Sequence, residues 1–235
     1  MKNFSEHQEQ YKNLLCEALE LFYKNDANEL FKENDGKNAS EGQREIVNER
    51  AMSGCVYRYM WYLMQQKEDF TFLDIDIEYD RMVKDDLGYY VKSLPHKCNG
   101  KRHKQCTKKC CEVIGKSIEQ ENENDADSIR KAVRPDIIVH NRNKSCIENN
   151  GLVVEFKKYN NNKVDFDMAK LYYFTCPESE SLQYQLGAMV KLFSEYAYVA
   201  FIGVRKILSG CKVSANRVEE VKGKEIEKLI FKKVG

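Results

Sequence analysis

Apolar positions recur with a helical period in the first quarter of the chain. From about Ser5 to Lys32 they fall three or four residues apart, which predicts one or two packed helices with a break at Asn25-Asp26. Residues 31–42 are polar and rich in Gly and Asn, which predicts a loop. The stretch from Gln43 to Gln66 has the strongest helical pattern in the chain.

Strict alternation predicts strands farther along. Phe72–Arg81 places apolar residues on one face and acids on the other, which is typical of a half-buried strand. Asp136–His140 and Leu152–Lys157 are β-branched runs joined by a polar, Asn-rich connection, the pattern of a hairpin. In the second run Glu155 and Lys157 share one face with Val153. Pairing the two runs brings Asp136 close to Glu155.

The last third of the sequence alternates between the two patterns. Asp165–Phe174 predicts a short helix, Ser181–Phe193 a second helix, and Tyr196–Val204 an apolar strand. A helix that crosses between strands is typical of α/β proteins. For Lys212–Lys233 the pattern fits a hairpin or a helix and does not separate them. We expect one mixed sheet flanked by helices.

Two carboxylates close together in an apolar hairpin are unfavourable unless they have a chemical role. At about 4 Å they repel by roughly 4 kcal/mol at an effective dielectric near 20. A divalent cation removes this cost, and Mg²⁺ or Mn²⁺ prefers oxygen ligands. Lys157 is then placed to stabilise negative charge on a phosphate or to hold an attacking water. The structural alternative is a salt-bridged hairpin in which Lys157 pairs with Glu155 or Asp136.

Several short motifs resemble those of one nuclease family. Pro135-Asp136 followed by Glu155-Phe156-Lys157 resembles the core of the PD-(D/E)XK nuclease superfamily. Asn48-Glu49-Arg50-Ala51 and Asp76-Ile77-Glu78-Tyr79-Asp80-Arg81 resemble segments of a small, mostly uncharacterised bacterial subgroup, in which a Pro-Asp-Ile-Ile-Val-His strand follows in the same order. Asp80 stands where that subgroup usually has Asn. The resemblance spans roughly residues 45–187, interrupted by a long insertion.

The resemblance implies a fold, an activity and a set of site residues. The fold is an α/β, restriction-endonuclease-like mixed sheet in residues 43–235, after an N-terminal helical segment in residues 1–42. The activity is Mg²⁺- or Mn²⁺-dependent phosphodiester cleavage of nucleic acid, with DNA expected over RNA and endonuclease action over exonuclease action. A homodimer is compatible with such an enzyme. The implied residues are Asp136, Glu155 and Glu78 as metal ligands, Lys157 and Glu49 as further catalytic residues, and Gln183, Tyr184 and Lys158 as substrate contacts.

Two of these acids have simpler interpretations. Glu49 also fits a solvated first-turn acid favoured by the helix dipole. Glu78 also fits a strand acid that faces water, although a row of like charges is unfavourable unless a positive group meets it. A catalytically silent module of the same fold that binds nucleic acid or protein is the alternative to an enzyme.

An insertion at about residues 82–130 is rich in Cys, His and Lys. Cys98, His103, Cys106 and Cys110 supply the four N and S ligands that a structural Zn²⁺ requires. Their spacing matches no standard zinc finger. The alternative is a flexible basic insertion whose lysines are solvated or contact phosphates.

Composition limits the remaining functional classes. The 235 residues are 32% charged and 42% hydrophobic with a net charge of +1, so nucleic-acid binding needs a local basic surface. No apolar run approaches the ~18 residues of a membrane span, and the polar start is unlike a signal peptide. The nine cysteines, an odd number mostly in apolar segments, favour a reducing cytoplasm over a disulfide scaffold. No Gly-rich phosphate loop is present in the sequence.

Overall fold

The fold is mixed α/β, with a seven-stranded sheet flanked by helices. The computed structural model describes residues 5–31, 49–77, 81–84, 88–91, 93–95, 130–132, 134–141, 150–159, 164–176, 183–203 and 206–232. The helices are α1 (Glu6–Asn25), α2 (Ala27–Phe31), α3 (Glu49–Gln65), α4 (Val164–Phe174) and α5 (Gly223–Phe231). The strands are β1 (Asp74–Ile77), β2 (Arg81–Lys84), β3 (Gly88–Val91), β4 (Ser93–Pro95), β5 (Arg130–Ala132), β6 (Ile137–His140), β7 (Asn150–Lys158), β8 (Leu186–Leu192), β9 (Tyr196–Gly203), β10 (Lys206–Ser214) and β11 (Arg217–Val221).

The large sheet has the strand order β1-β6-β7-β8-β9-β10-β11. Every neighbouring pair in it is antiparallel except β7 and β8, which run parallel. Parallel neighbours need a crossover connection, and α4 lies in that connection and packs against both strands. The predicted mixed sheet is therefore confirmed, and β6 and β7 form the predicted antiparallel pair.

The two faces of the sheet are covered by different helices. Alternation along β7 sends Leu152, Val154 and Phe156 into a core shared with α1 and α3. Val153, between them, belongs to a second core shared with α4 and α5. The residues of β7 that follow Val153 on its face are Glu155 and Lys157, so the charged pair points to the side of α4.

The N-terminal helices form as the pattern predicts. Ser5 caps α1, because its hydroxyl accepts a hydrogen bond from the Gln8 N–H while the Gln8 side chain accepts one from the Ser5 N–H. The helix ends at Asn25 and α2 begins at Ala27, which confirms the predicted break. One face of α1 is buried against the sheet, and Cys16 Sγ lies 3.5 Å from Cys211 Sγ of β10.

One predicted element is wrong. The described part of Ser181–Phe193 is not a helix: Leu186–Leu192 is the strand β8, and all seven of its residues are buried. A strand buried on both faces carries a continuous apolar run rather than an alternating one, and such a run is easily mistaken for a buried helix. The segment at Lys212–Lys233 contains both predicted alternatives, the hairpin of β10 and β11 followed by α5.

The two ends of the predicted insertion are paired. β2 and β3 form a two-stranded antiparallel ladder, and β4 pairs with β5 on either side of residues 96–129. Those intervening residues, with the proposed zinc ligands Cys98, His103, Cys106 and Cys110, lie outside the described residues. Among the helices that the structure describes, none combines the length and apolar character needed to cross a membrane.

Candidate functional site

Asp136 and Glu155 lie on neighbouring strands. Ile137 of β6 pairs with Val154 of β7, so Asp136 and Glu155 are the next residues along the two strands. Asp136 Oδ2 accepts a hydrogen bond from the Phe156 N–H at 2.7 Å, which fixes its carboxylate against β7. The hairpin thus brings together the two acids that the sequence pattern singled out.

Glu155 is a fully buried acid with one satisfied oxygen. Its side chain is 1% exposed, and Oε2 lies 2.8 Å from the ammonium of Lys170 on α4. Oε1 is buried and has no hydrogen-bond partner in the part of the chain that the structure describes. A buried carboxylate oxygen without a donor is costly, so this atom indicates a place for a proton or a cation.

Lys157 is held by two carboxylates from other elements. Its Nζ lies 3.0 Å from Glu49 Oε1 at the start of α3 and 2.8 Å from Asp167 Oδ2 on α4. These are different partners from those in the salt-bridged-hairpin interpretation, which paired Lys157 with Glu155 or Asp136. The lysine side chain is only 12% exposed, so its ammonium has a defined position between two helices.

Glu49 joins α3 to the end of β7. Besides the ion pair with Lys157, its second oxygen accepts a hydrogen bond from the Lys158 N–H at 2.9 Å. The side chain of Lys158 extends elsewhere, with its ammonium over the Phe31 ring at 5.8 Å from the centroid. Glu49 therefore belongs to one network of charged side chains with Lys157 and is not a purely solvated first-turn acid.

Two residues of the cluster were missed by the sequence reasoning. Asp167 and Lys170 lie one turn apart on α4, with Asp167 Oδ1 2.7 Å from Lys170 Nζ, and both are buried. A sequence signal for them exists. Leu171 and Phe174 follow Asp167 at helical spacing and are fully buried, so an acid and a lysine occupy the stripe that faces the sheet.

We call these six residues the acid–lysine cluster: Glu49, Asp136, Glu155, Lys157, Asp167 and Lys170. Its four carboxylates face two ammonium groups, which leaves two negative charges in excess when all six are ionised. The excess equals the charge of one divalent cation.

The pKa values of the cluster's acids reflect their burial first and the excess of acids second. Burial raises the pKa of Glu155 well above its usual range, and the carboxylates of Asp167 and Asp136 add to the rise. Burial also raises the pKa of Asp136, against the opposing effects of the Phe156 N–H and the nearby lysines. Burial acts to lower the pKa of Lys157 and Lys170, but the neighbouring carboxylates outweigh it and raise both.

A contact between an aspartate and a histidine lies on the same face of the sheet as the acid–lysine cluster. His140 is two residues beyond Ile138, which belongs to the core beside α4, and its Nε2 is 2.8 Å from Asp76 Oδ2 of β1. The predicted row of acids on β1 therefore meets a basic group at one position. Glu78, proposed as a third metal ligand, lies outside the described residues, and its role stays a prediction.

Gln183 and Tyr184 do not begin a helix that faces the cluster. They precede the strand β8, and Gln183 has a backbone φ of 33° in the left-handed region. Tyr184 is 2% exposed and packs edge-on against Phe174 of α4, with its N–H bonded to the Phe174 carbonyl. The helix predicted for Ser181–Phe193, which would have begun near these two residues, is therefore wrong, and their role as substrate contacts stays a prediction.

The donor set suits a hard cation. Carboxylate oxygens are the ligands that Mg²⁺ and Mn²⁺ prefer, and Asp136 and Glu155 supply them beside the excess negative charge. Among the residues that the structure describes, no group of three or more His, Cys, Asp or Glu side chains is arranged to hold a metal ion. A cation at this place would thus rely on two protein carboxylates, of which Glu155 offers an unpartnered oxygen.

Comparisons with known proteins add no family assignment. Neither the protein-family models, nor the curated proteins, nor the solved structures gave a match. The resemblance of Pro135-Asp136 and Glu155-Phe156-Lys157 to the PD-(D/E)XK nucleases therefore stays a prediction from short motifs.

Proposed function

We propose that the chain is a metal-dependent nuclease with a restriction-endonuclease-like site. The observation that carries the proposal is the buried, unpartnered Oε1 of Glu155 beside Asp136, in a cluster that has two excess negative charges when all six residues are ionised. Two of the four carboxylates, those of Glu155 and Asp167, are buried, and such charges cost stability unless cations compensate them in full. A phosphodiesterase that uses Mg²⁺ or Mn²⁺ needs such a site.

Five residues of the cluster have a part in this proposal. Asp136 and Glu155 would hold the cation, which supplies a bound water of lowered pKa and neutralises charge at the scissile phosphate. Lys157 lies on the same strand face two residues from Glu155, roughly 7 Å away along the backbone. Its ammonium, fixed by Glu49 and Asp167, is suited to stabilise the negative charge that develops on the phosphate.

The polymer is nucleic acid, with DNA expected over RNA. The net charge of +1 gives no general attraction to a polyanion, so affinity must come from local basic groups. In the sequence such groups concentrate between Lys97 and Lys116, beyond the described residues. This basic stretch is the expected source of the backbone contacts.

A silent module of the same fold is the second candidate, and one observation favours it. The ion pairs of the cluster are short, 2.7–3.0 Å, and link Lys157 and Lys170 to three of the four acids. Such a network can serve structure alone by joining α3, α4 and β7. The two candidates differ in whether the cluster takes up a divalent cation.

A cleavage assay separates the two functions. We expect cleavage of at least one substrate among single-stranded, duplex and branched DNA and RNA in Mg²⁺ or Mn²⁺, and none in EDTA. Asp136→Asn should abolish cleavage and weaken Mn²⁺ binding while its amide oxygen still accepts the Phe156 N–H. Asp26→Asn, which alters the Arg58 ion pair on α3, is the control and should cut normally. Absence of both cleavage and Mn²⁺ binding in the wild type would favour the silent module.

A further inference from the structure

Lys170 lies between two acids of the acid–lysine cluster. Its ammonium is 2.8 Å from Glu155 Oε2 and 2.7 Å from Asp167 Oδ1, and its side chain is 9% exposed. The ammonium also lies 5.5 Å from the centroid of the Phe166 ring. Lys170 therefore supplies positive charge to Glu155 within the protein itself.

The position of this ammonium conflicts with coordination of a metal ion by both oxygens of Glu155. Oε2 is already engaged by Lys170, and only Oε1 is without a partner among the described residues. A divalent cation bound to Glu155 would therefore meet a positive charge within hydrogen-bonding distance of the same carboxylate. Like charges so close in a buried site repel strongly.

The flexible side chain of Lys170 can move its ammonium away from a bound metal ion. A lysine ammonium is a compact charge on a flexible four-carbon stem, so it can leave one carboxylate and keep another. Asp167 is on the same helix, one turn earlier, and stays within reach of the ammonium when the contact with Glu155 is lost. Burial of Met168, Leu171 and Phe174 holds the α4 backbone in place meanwhile.

We propose that Lys170 is an internal counter-cation that competes with the metal ion for Glu155. In the metal-free protein its ammonium is bonded to Glu155 Oε2. When a divalent cation binds Asp136 and Glu155, the ammonium leaves Glu155 Oε2 and stays with Asp167. Lys170 thereby lowers the affinity of the site for the metal ion and stabilises the folded, metal-free protein. This inference rests on the proposed metal-dependent function.

Metal binding tests the inference without any cleavage assay. Mn²⁺ affinity is measured by calorimetry, and melting temperature with and without Mn²⁺, for the wild type and Lys170→Met. We expect Lys170→Met to bind Mn²⁺ about tenfold more tightly or better, because a competing unit charge is removed. Without metal it should melt below the wild type, and Mn²⁺ should raise its melting temperature by more than it raises that of the wild type.

Lys12→Met is the matched control. Lys12 is nearly as buried as Lys170 and also pairs with two carboxylates, those of Glu9 and Glu220, but it lies on α1. Its removal should lower the melting temperature and leave Mn²⁺ affinity unchanged. A general effect of deleting any buried lysine would move both variants alike and would overturn the proposal.

Lys170→Arg covers the case in which Lys170→Met fails to fold. A guanidinium binds carboxylates through two parallel hydrogen bonds and gives them up less readily. We therefore expect weaker Mn²⁺ binding by Lys170→Arg than by the wild type. Unchanged affinity in the variants that fold overturns the role of Lys170 alone. Absence of Mn²⁺ binding in both the wild type and Lys170→Met overturns the metal site and this inference together.

Discussion

Lys157 is positioned more firmly than an ordinary surface lysine. Two carboxylates, from α3 and α4, hold its ammonium, and the strand β7 holds its backbone. A lysine that is already ordered loses little further freedom when it meets a substrate, and a fixed charge needs no reorganisation during the reaction. The ion pair with Lys157 brings Glu49 into the cluster, although α3 packs on the opposite face of the sheet.

Replacing Lys157 by Ala should separate catalysis from metal binding. We expect the cleavage rate to fall by on the order of 10²–10³, the usual effect of losing one transition-state electrostatic contact. Mn²⁺ affinity should stay equal or rise, because a nearby positive charge is lost. The measurements are single-turnover cleavage and calorimetry, with Lys67→Ala as control, since Lys67 pairs with Glu17 outside the cluster. A Lys157→Ala protein that cuts at the wild-type rate contradicts the mechanism.

The raised pKa values of Glu155 and Asp136 predict how stability depends on pH. In the unfolded chain these carboxyls titrate at about pH 4. Between that pH and their higher pKa in the folded state, the folded protein holds more protons than the unfolded chain. The free energy of unfolding of the metal-free protein should therefore fall as the pH rises. The raised pKa values of Lys157 and Lys170 add no slope below about 10.4, because both states are protonated there.

Glu155→Gln tests this pH dependence. The amide does not titrate, so the melting temperature of metal-free Glu155→Gln should decline less than that of the wild type as the pH rises above about 4. Glu17→Gln, an acid of a partly exposed ion pair on α1, should keep the wild-type slope. Equal slopes for Glu155→Gln and the wild type would show that Glu155 stays ionised throughout this range.

At the level of residues, the sequence predicts only part of the acid–lysine cluster. Glu155 and Lys157 stand out because they interrupt an apolar strand, and alternation assigns them to one face. Asp167 and Lys170 stand in a helix that also carries the exposed Asp165, so their burial depends on how α4 packs. That packing is a tertiary property, and a single helical segment does not determine it.

At the level of elements, β8 is where the pattern was misleading. Its residues Leu186–Leu192 are all buried because β7 and β9 flank it in the sheet and helices cover both faces. Gly187 and Lys191 interrupt the apolar run, and they lie on the same face of the strand as Met189. Lys191 is accommodated by donating hydrogen bonds to the carbonyls of Ile230 and Lys232 at the end of α5. By contrast β6, β7 and β9 were predicted correctly, since the apolar run of each has clear ends.

The docking of α1 on β7 depends on a glycine. A Cβ at Gly151 would overlap the ring of Tyr11, so this position needs a residue without a side chain. We expect Gly151→Ala to destabilise the protein by about 1–3 kcal/mol, the usual cost of overpacking. A methyl group added at Gly54 on α3 would meet no atom within 4 Å, and Gly54→Ala should stabilise the protein by about 0.5–1 kcal/mol. Urea unfolding of both variants is the measurement, and equal effects would contradict this prediction.

At the scale of the whole molecule, the N-terminal helix and the sheet share one core. Leu14, Leu15, Leu19 and Phe22 of α1 are fully buried in the cluster that also contains Leu152 and Val154 of β7. Two hydrogen bonds reach from α1 to the two ends of β8, from Gln8 to the Gln185 carbonyl and from Tyr23 to the Phe193 carbonyl. The packing of α1 therefore supports the same strand that carries Glu155 and Lys157.

A chain that begins at residue 43 should consequently fail to fold by itself. Each fully buried Leu or Phe of α1 contributes about 1.5–3 kcal/mol, so losing four of them removes an amount comparable to the whole stability of a typical domain, about 5–15 kcal/mol. We expect the fragment 43–235 to lack a cooperative thermal transition and to bind a hydrophobic dye. In the full chain, Leu19→Ala should cost about 2–5 kcal/mol, whereas Lys24→Ala, on the exposed side of α1, should change the free energy of unfolding by under about 0.5 kcal/mol. A fragment 43–235 that melts cooperatively and binds Mn²⁺ as the full chain does would show instead that α1 is an appendage to an independent nuclease-like domain.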